Sequence, residues 1–272
     1  MGTKIEWADE TWNPVTGCTK ISEGCAHCFA KRMAQRLAGR FGYPADDPFR
    51  VTIHEDKLDQ PCHWPKPRRV FVCSMGDLFH EDVPESWISR VFGVIDQCRK
   101  AGDQHTFMIL TKRPERMAEY IGKWWENDRH PAPVLSNLWL GVTAENQARA
   151  DERIPVLLEI PAAVRFVSVE PCLSEVILEP YLSEYDMRPT YTYYRAAYPG
   201  MEAKPIRAFH GIDWVICGAE TGPGARPMKL DWARSLCDQC AEGGTPFFFK
   251  RDSDGNRKLD GRLWEQYPGA VG

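Results

Sequence analysis

The chain has 272 residues, a mass of 31.1 kDa and 43% hydrophobic against 26% charged residues, a globular balance that excludes a disordered tail protein. That length is ordinary for one α/β barrel, so a single domain over 1–272 is expected. A formal charge of −4 and a pI near 6.0 exclude a global basic field, and any nucleic-acid contact must rest on local patches. No apolar run approaches the roughly 20 residues of a membrane helix. The N-terminal residues lack the apolar core of a signal peptide. The expectation is a cytoplasmic protein with no membrane partner.

Taken in chain order, short runs of β-branched and aromatic residues read as buried strands. They are Lys4–Trp7, Val51–Ile53, Val70–Cys73, Thr106–Leu110, Leu138–Val142, Val164–Val169, Trp214–Cys217 and Pro246–Phe249. Amphipathic stretches lie between them. Ala26–Phe41 places Ala26, Phe29, Ala30, Met33, Ala34, Leu37 and Ala38 on one face, read as inward. Ser86–Ala101 turns Trp87, Val91, Val94, Ile95 and Cys98 inward. Pro114 opens a third helix through Met117 and Trp124. Gln147–Leu158 and Trp232–Ala241 complete the set. Ser174–Gly211 breaks the rhythm as a Tyr-rich irregular insertion carrying Tyr181, Tyr185, Tyr191, Tyr193, Tyr194 and Tyr198.

Alternating strands and helices predict a mainly parallel sheet with outer helices, hence a full or partial (β/α) barrel. An open doubly wound sheet is the alternative, although Gly-x-Gly-x-x-Gly and phosphate-loop motifs are absent. In a parallel barrel the active site lies where the strands end. Those ends carry Ser74 and Asp77, then Lys112 and Arg113, Glu145 and Asn146, Ser168 and Glu170, Glu220, and finally Lys250 and Arg251. Mixed acids and bases of this kind suit a zwitterionic ligand better than a phosphate alone. Helix capping explains any one of these loops as well as ligand binding does.

Ten cysteines in a chain expected to be cytoplasmic point to reduced thiols, some of them ligands. Cys18, Cys25 and Cys28 form C-x6-C-x2-C, with Asn13–Gly17 and Ser22–Gly24 supplying turn chemistry. Thiolates at such spacing hold iron–sulfur clusters or zinc, and three cysteines leave one metal position open to a small molecule. His27 is a possible fourth zinc ligand, but its place beside Cys28 strains the geometry. Cys237 and Cys240 form C-x2-C inside a predicted helix, where packing explains them as well as metal does. Cys98 reads as core, and packing is the simpler reading for Cys73, Cys172 and Cys217.

In order along the chain stand Thr11-Trp-Asn-Pro-Val-Thr-Gly-Cys18, Gly24-Cys25 with Cys28, Ser74-Met-Gly-Asp-Leu-Phe79, Leu110-Thr-Lys-Arg-Pro114, Trp139-Leu-Gly-Val-Thr-Ala-Glu-Asn146, Ser168-Val-Glu-Pro171 and Trp214-Val-Ile-Cys-Gly-Ala-Glu-Thr-Gly222. From Lys4 to Arg251 the chain resembles the phage-associated three-cysteine protein family of unassigned function. That family is similar to radical S-adenosylmethionine (SAM) enzymes and distantly to spore photoproduct lyase. The resemblance implies a radical SAM-type barrel and a 4Fe-4S cluster on Cys18, Cys25 and Cys28, with SAM chelating the open iron. Reductive cleavage of SAM would yield a 5′-deoxyadenosyl radical, fed by an electron donor such as flavodoxin or ferredoxin. Here the first cysteine gap is longer than the C-x3-C-x2-C usual in that superfamily, and His27 stands where an aromatic commonly precedes the third cysteine.

Within this reading Asp77, Glu145 and Glu170 are candidates for the SAM ammonium or ribose, and Lys112 or Arg113 for its carboxylate. Ser74, Asn146 and Ser168 are neutral partners, Glu220 is a further cofactor-binding candidate, and Lys250 a candidate catalytic residue. Lys31, Arg32, Arg36 and Arg40 lie in a stretch without acids from Gly24 to Tyr43, and Arg226, Lys229, Lys250 and Arg251 add charge near the barrel end. With the insertion's tyrosines they point to a DNA or RNA substrate or a modified nucleoside. Solvated helix faces and a packed flap are the plain alternatives. The competing function is a non-catalytic, metal-stapled nucleic-acid-binding module with zinc or a structural cluster.

Overall fold

A computed structural model of the chain describes residues 3–102, 105–127, 135–182 and 211–269. Seven parallel strands form the main sheet: β1 (Glu10–Trp12), β4 (Arg69–Val72), β5 (Thr106–Thr111), β6 (Leu138–Thr143), β7 (Val164–Val169), β8 (Trp214–Gly218) and β9 (Phe247–Arg251). β2 (Val15–Thr16) and β3 (Thr52–Ile53) make a separate antiparallel ribbon, and β10 (Lys258–Leu259) pairs with β11 (Arg262–Leu263). The helices are α1 (Phe29–Arg36), α2 (Glu85–Ala101), α3 (Pro114–Asn127), α4 (Gln147–Glu159), α5 (Glu179–Leu182) and α6 (Leu230–Glu242).

Strand order in the sheet follows chain order throughout, each strand parallel to the next. A doubly wound sheet would reverse its order at a switch point; no such reversal occurs among the described strands, which removes that alternative. The sheet also curls. Trp7 touches Phe71 of β4 at 4.6 Å and Trp214 of β8 at 6.2 Å between ring centroids, although four strand intervals separate β4 from β8. β1 and β9 do not pair, so the result is a partial barrel. Glu6 bridges across to Arg251, and the chain after β11 covers the edge of β9 through Phe249 N–H to Trp264 O (2.8 Å) and Gln266 N–H to Phe247 O (3.2 Å).

Both faces of the sheet are buried, which is why the strands read as near-continuous apolar runs. Alternate side chains go to opposite sides. Val70, Val72, Phe107, Ile109, Leu140, Val142 and Val167 join an outer core with the helices. Met108, Phe166, Trp214, Ile216 and Phe248 form a second, inner cluster with Trp7, onto which Tyr267 packs. Gly141 belongs to this inner face. A Cβ there would lie 2.5 Å from the Phe166 ring, so only glycine lets that ring lie across β6.

Helix α2 shows how local chemistry sets the boundaries. Pro84 precedes it in extended backbone, Glu85 and Arg99–Lys100 oppose the helix dipole at its two ends, and Gly102 stops it in a left-handed conformation. Its stripe Trp87, Ile88, Val91, Phe92, Ile95 and Cys98 enters the outer core.

The sheet strands from β4 onward match the sequence reading to within one or two residues. Three expectations are corrected. The first sheet strand is Glu10–Trp12 rather than Lys4–Trp7, because Trp7 turns inward as a plug. Val51–Ile53 lies outside the main sheet, paired antiparallel with β2. The first helix ends at Arg36 rather than Phe41, since Gly39, Phe41 and Gly42 all take positive φ. Its buried residues are Ala30 and Ala34, while Phe29 is 58% exposed. Most of the Tyr-rich insertion lies outside the described residues; Tyr181 donates to Asp151 Oδ1 at 3.2 Å. Among the described residues no helix is long and apolar enough to cross a membrane.

Candidate functional site

All the strands of the sheet end on one rim, and the three-cysteine loop lies across it. The loop begins by close backbone approach. Gly17, at φ +89°, donates its N–H to Met75 O at 2.9 Å, and a Cβ on it would stand 2.1 Å from Arg50 O. No other residue fits there. Asn13 Oδ1 fixes the turn after β4 by accepting from Met75 N–H (2.9 Å) and Ser74 Oγ (3.2 Å). The loop then makes a short 3-10 turn at Glu23–Cys25 and delivers Cys28 as the residue before α1.

Charged groups from three strand ends clamp this loop. After β5, Arg113 donates to Cys18 Sγ at 3.3 Å, to Thr19 Oγ1 at 2.9 Å and to Asp77 Oδ2 at 3.2 Å. After β6, Glu145 accepts the Gly24 N–H at 3.2 Å while its other oxygen accepts from Arg153 at 2.9 Å. Arg149 of α4 pairs with Glu23 at 3.1 Å. After β8, Glu220 holds Arg226, which donates to Glu23 O at 3.0 Å, and Arg32 of α1 donates to Thr221 O at 2.8 Å. Four separate attachments hold a loop that has little core of its own.

The electrostatics follow from this packing. Burial and the Asp77 charge push the Cys18 thiol up to about 11, against the opposing pull of Arg113. Burial pushes the Cys25 thiol up too, but hydrogen bonds from the Ile21 and Ser22 backbone and the charge of Lys112 outweigh it, and the net shift is downward. For Glu145, burial is likewise outweighed by Lys112 and Arg153, so its carboxyl lies below the usual range. Lys112 thus acts on both Cys25 and Glu145. Its ammonium makes no hydrogen bond or ion pair among the described residues.

The structure brings every candidate site residue to this rim, in two groups. Asp77, Glu145, Asn146, Glu220 and Ser74 are committed to the protein. Asp77 accepts from Thr111 Oγ1 at 2.8 Å, Phe79 N–H at 3.0 Å and Lys112 N–H at 3.3 Å in addition to Arg113. Asn146 caps α4 by accepting from Arg149 N–H at 3.0 Å. Ser74 is taken up by Asn13. The second group comprises Lys112, Ser168 and the Glu170–Lys250 ion pair, which is bonded to none of the loop clamps. Ser168 alternates with Phe166 onto the inner face, and Gly218 leaves room beside Glu170 and Lys250. Sequence reasoning missed Thr19, Arg149 and Arg153, and named Asn13 only for turn chemistry. Arg153, within the helix expected over Gln147–Leu158, is 1% exposed beneath Glu145.

Cys18, Cys25 and Cys28 are free and half-buried, and Cys18 and Cys25 are close enough for their charges to interact. Among the described residues no three His, Cys, Asp or Glu side chains converge on one ion. In a cubane each thiolate binds a different iron, so its ligands stand further apart than those of a single ion. The donor set suits such a cluster: three soft thiols on one loop, with Arg113 and Lys112 to offset the negative charge. The His27 ring lies against Gly224, a Cβ on which would be 3.1 Å away.

Residues 2–268 match the family described as "Protein of unknown function (DUF5131)". The chain belongs to this family. Its description covers the same stretch as the ordered motifs and names no activity. No curated protein and no solved structure matches the chain.

Proposed function

We propose that this DUF5131 member is a radical SAM-like iron–sulfur enzyme that acts on a nucleic acid or modified nucleoside. The observation carrying the reading is the clamped loop: three free thiols pinned by Arg113, Glu145 and Arg226 over the strand-end mouth of a partial barrel. Cys18, Cys25 and Cys28 would hold a 4Fe-4S cluster, which would supply the electron for reductive cleavage of SAM.

The chain's own residues do the rest. Arg113 holds Cys18 in place and offsets its charge, and Asp77 holds Arg113. The unpaired Lys112 ammonium offers a partner for the SAM carboxylate. The inner aromatic floor of Trp7, Phe166, Trp214 and Phe248 closes the mouth from below and keeps water from a reactive intermediate. The Lys250 ammonium, held by Glu170, can deliver a proton to bound substrate. Flavodoxin or ferredoxin is the class of electron donor this chemistry needs.

Anaerobic reconstitution with iron and sulfide, followed by dithionite and SAM, tests the reading. The expected product is 5′-deoxyadenosine, lost in Cys25→Ala. Stoichiometric zinc from a reduced anaerobic preparation, with no 5′-deoxyadenosine, would overturn it in favour of a metal-stapled binding module.

A further inference from the structure

Helix α1 leaves the mouth with an unusual outer face. Ala30 and Ala34 turn inward, Phe29 and Arg36 share one exposed face at i and i+7, and Arg32 reaches back from the helix to Thr221 O. Phe29 follows Cys28 directly and is 58% exposed. Beyond the helix, Phe41 is 73% exposed, the highest value among the exposed large apolar residues described. Its backbone is left-handed at φ +54°, a costly conformation for a bulky residue, and Lys57 Nζ braces it by donating to Phe41 O at 3.3 Å. Two rings are therefore held out in water at the two ends of a basic strip. Between them lie Lys31, Arg32, Arg36 and Arg40, with no acid from Gly24 to Tyr43. Among the described residues Lys31 and Arg36 have no carboxylate partner, Arg40 donates to Arg36 O, and Arg32 keeps one buried guanidinium nitrogen without any hydrogen bond. The nearest acids in sequence flank the strip: Glu23 is engaged by Arg149, and Asp46 by Arg50.

We propose that this strip is the docking track for single-stranded nucleic acid, with Phe29 and Phe41 stacking on bases and Lys31, Arg36 and Arg40 following the phosphates. Exposed rings need unpaired bases, so the occupant is a single strand rather than a duplex. An acidic electron-transfer protein would match the charges, but it gives no reason to hold Phe41 out in a strained backbone. Arg36 lies two turns from Phe29, about 10 Å along the helix, so a strand stacked on Phe29 runs past Arg36. The track starts beside Cys28, so it delivers a strand to the mouth; in that delivery role it rests on the function proposed above.

The test is fluorescence anisotropy on the full, metal-free chain with labelled oligothymidine, oligouridine and a hairpin duplex, across a salt series. Both single strands should bind more tightly than the duplex. Phe41→Ala and Phe29→Ala should each weaken single-strand binding about tenfold. Arg36→Gln and Arg40→Gln should each reduce the salt slope by about one. Phe41, Arg36 and Arg40 lie away from the thiols, so their variants report on the track even if Phe29→Ala disturbs the loop. A preference between the two single strands tells DNA from RNA. Equal binding of duplex, or unchanged affinity in all four variants, overturns the track. So does loss of flavodoxin binding in these variants with oligonucleotide binding intact. Because no cluster is needed here, failed binding alongside SAM cleavage removes the track alone, and binding by a chain that takes up no iron removes the enzymatic reading alone.

Discussion

The floor and the rim of the partial barrel are built from the same strands by opposite means. On the floor, Trp7, Phe166, Trp214, Phe248 and Tyr267 pack ring against ring, with centroids 5.4 to 6.2 Å from Trp214. Only a few residues further along each strand, the rim is held by ion pairs and backbone contacts, and nearly every acid has a named basic or N–H partner. The contrast shows what each layer does. The floor supplies non-directional stability through buried area. The rim fixes positions, and Lys112, Ser168 and the Glu170–Lys250 pair take no part in its clamps among the described residues.

Breaking the floor gives the largest effect. Trp214→Ala removes the ring that touches four aromatic neighbours named above, and should cost about 4 kcal/mol in urea unfolding. Glu145→Ala comes next at about 3 kcal/mol, because it leaves the Arg153 guanidinium buried and unpaired. Unlike the floor variant, it should speed hydrogen exchange first at Gly24, whose N–H loses its acceptor.

A pH titration sharpens the comparison further. His54 is buried beside Thr16 Oγ1 at 2.8 Å, just before the cysteine loop, and burial with the Lys57 charge holds its pKa down to about 4. The unfolded chain binds that proton near pH 6.5, so stability falls as pH drops from about 6.5 to about 4 and then levels. His54→Gln should flatten this slope in chemical denaturation; an unchanged slope would remove His54 as its source. The smallest effect is at the cap of α4, where Asn146→Ala should cost about 1 kcal/mol and leave thiol reactivity unaltered.

The parallel fold was legible because strands buried on both faces show as near-continuous apolar runs, as at Leu138–Thr143. The rim was legible as a place, since barrel chemistry gathers at strand ends, but the division of labour within it was not. Glu145 and Lys112 look alike as loop charges; only the fold reveals Arg153 behind the one and, among the described residues, no partner on the ammonium of the other. The curl of the sheet depends on Trp7 and Tyr267, far apart in sequence, meeting at Trp214. The β10–β11 hairpin, by contrast, was signalled by Asp260–Gly261, both at positive φ, and was overlooked.

The most direct measurement is electron paramagnetic resonance of the reconstituted, dithionite-reduced protein before and after SAM is added. The account predicts a 4Fe-4S signal that changes shape with SAM and is lost in the triple Cys18→Ala, Cys25→Ala, Cys28→Ala variant. A signal indifferent to SAM, or one that survives in that variant, would contradict it.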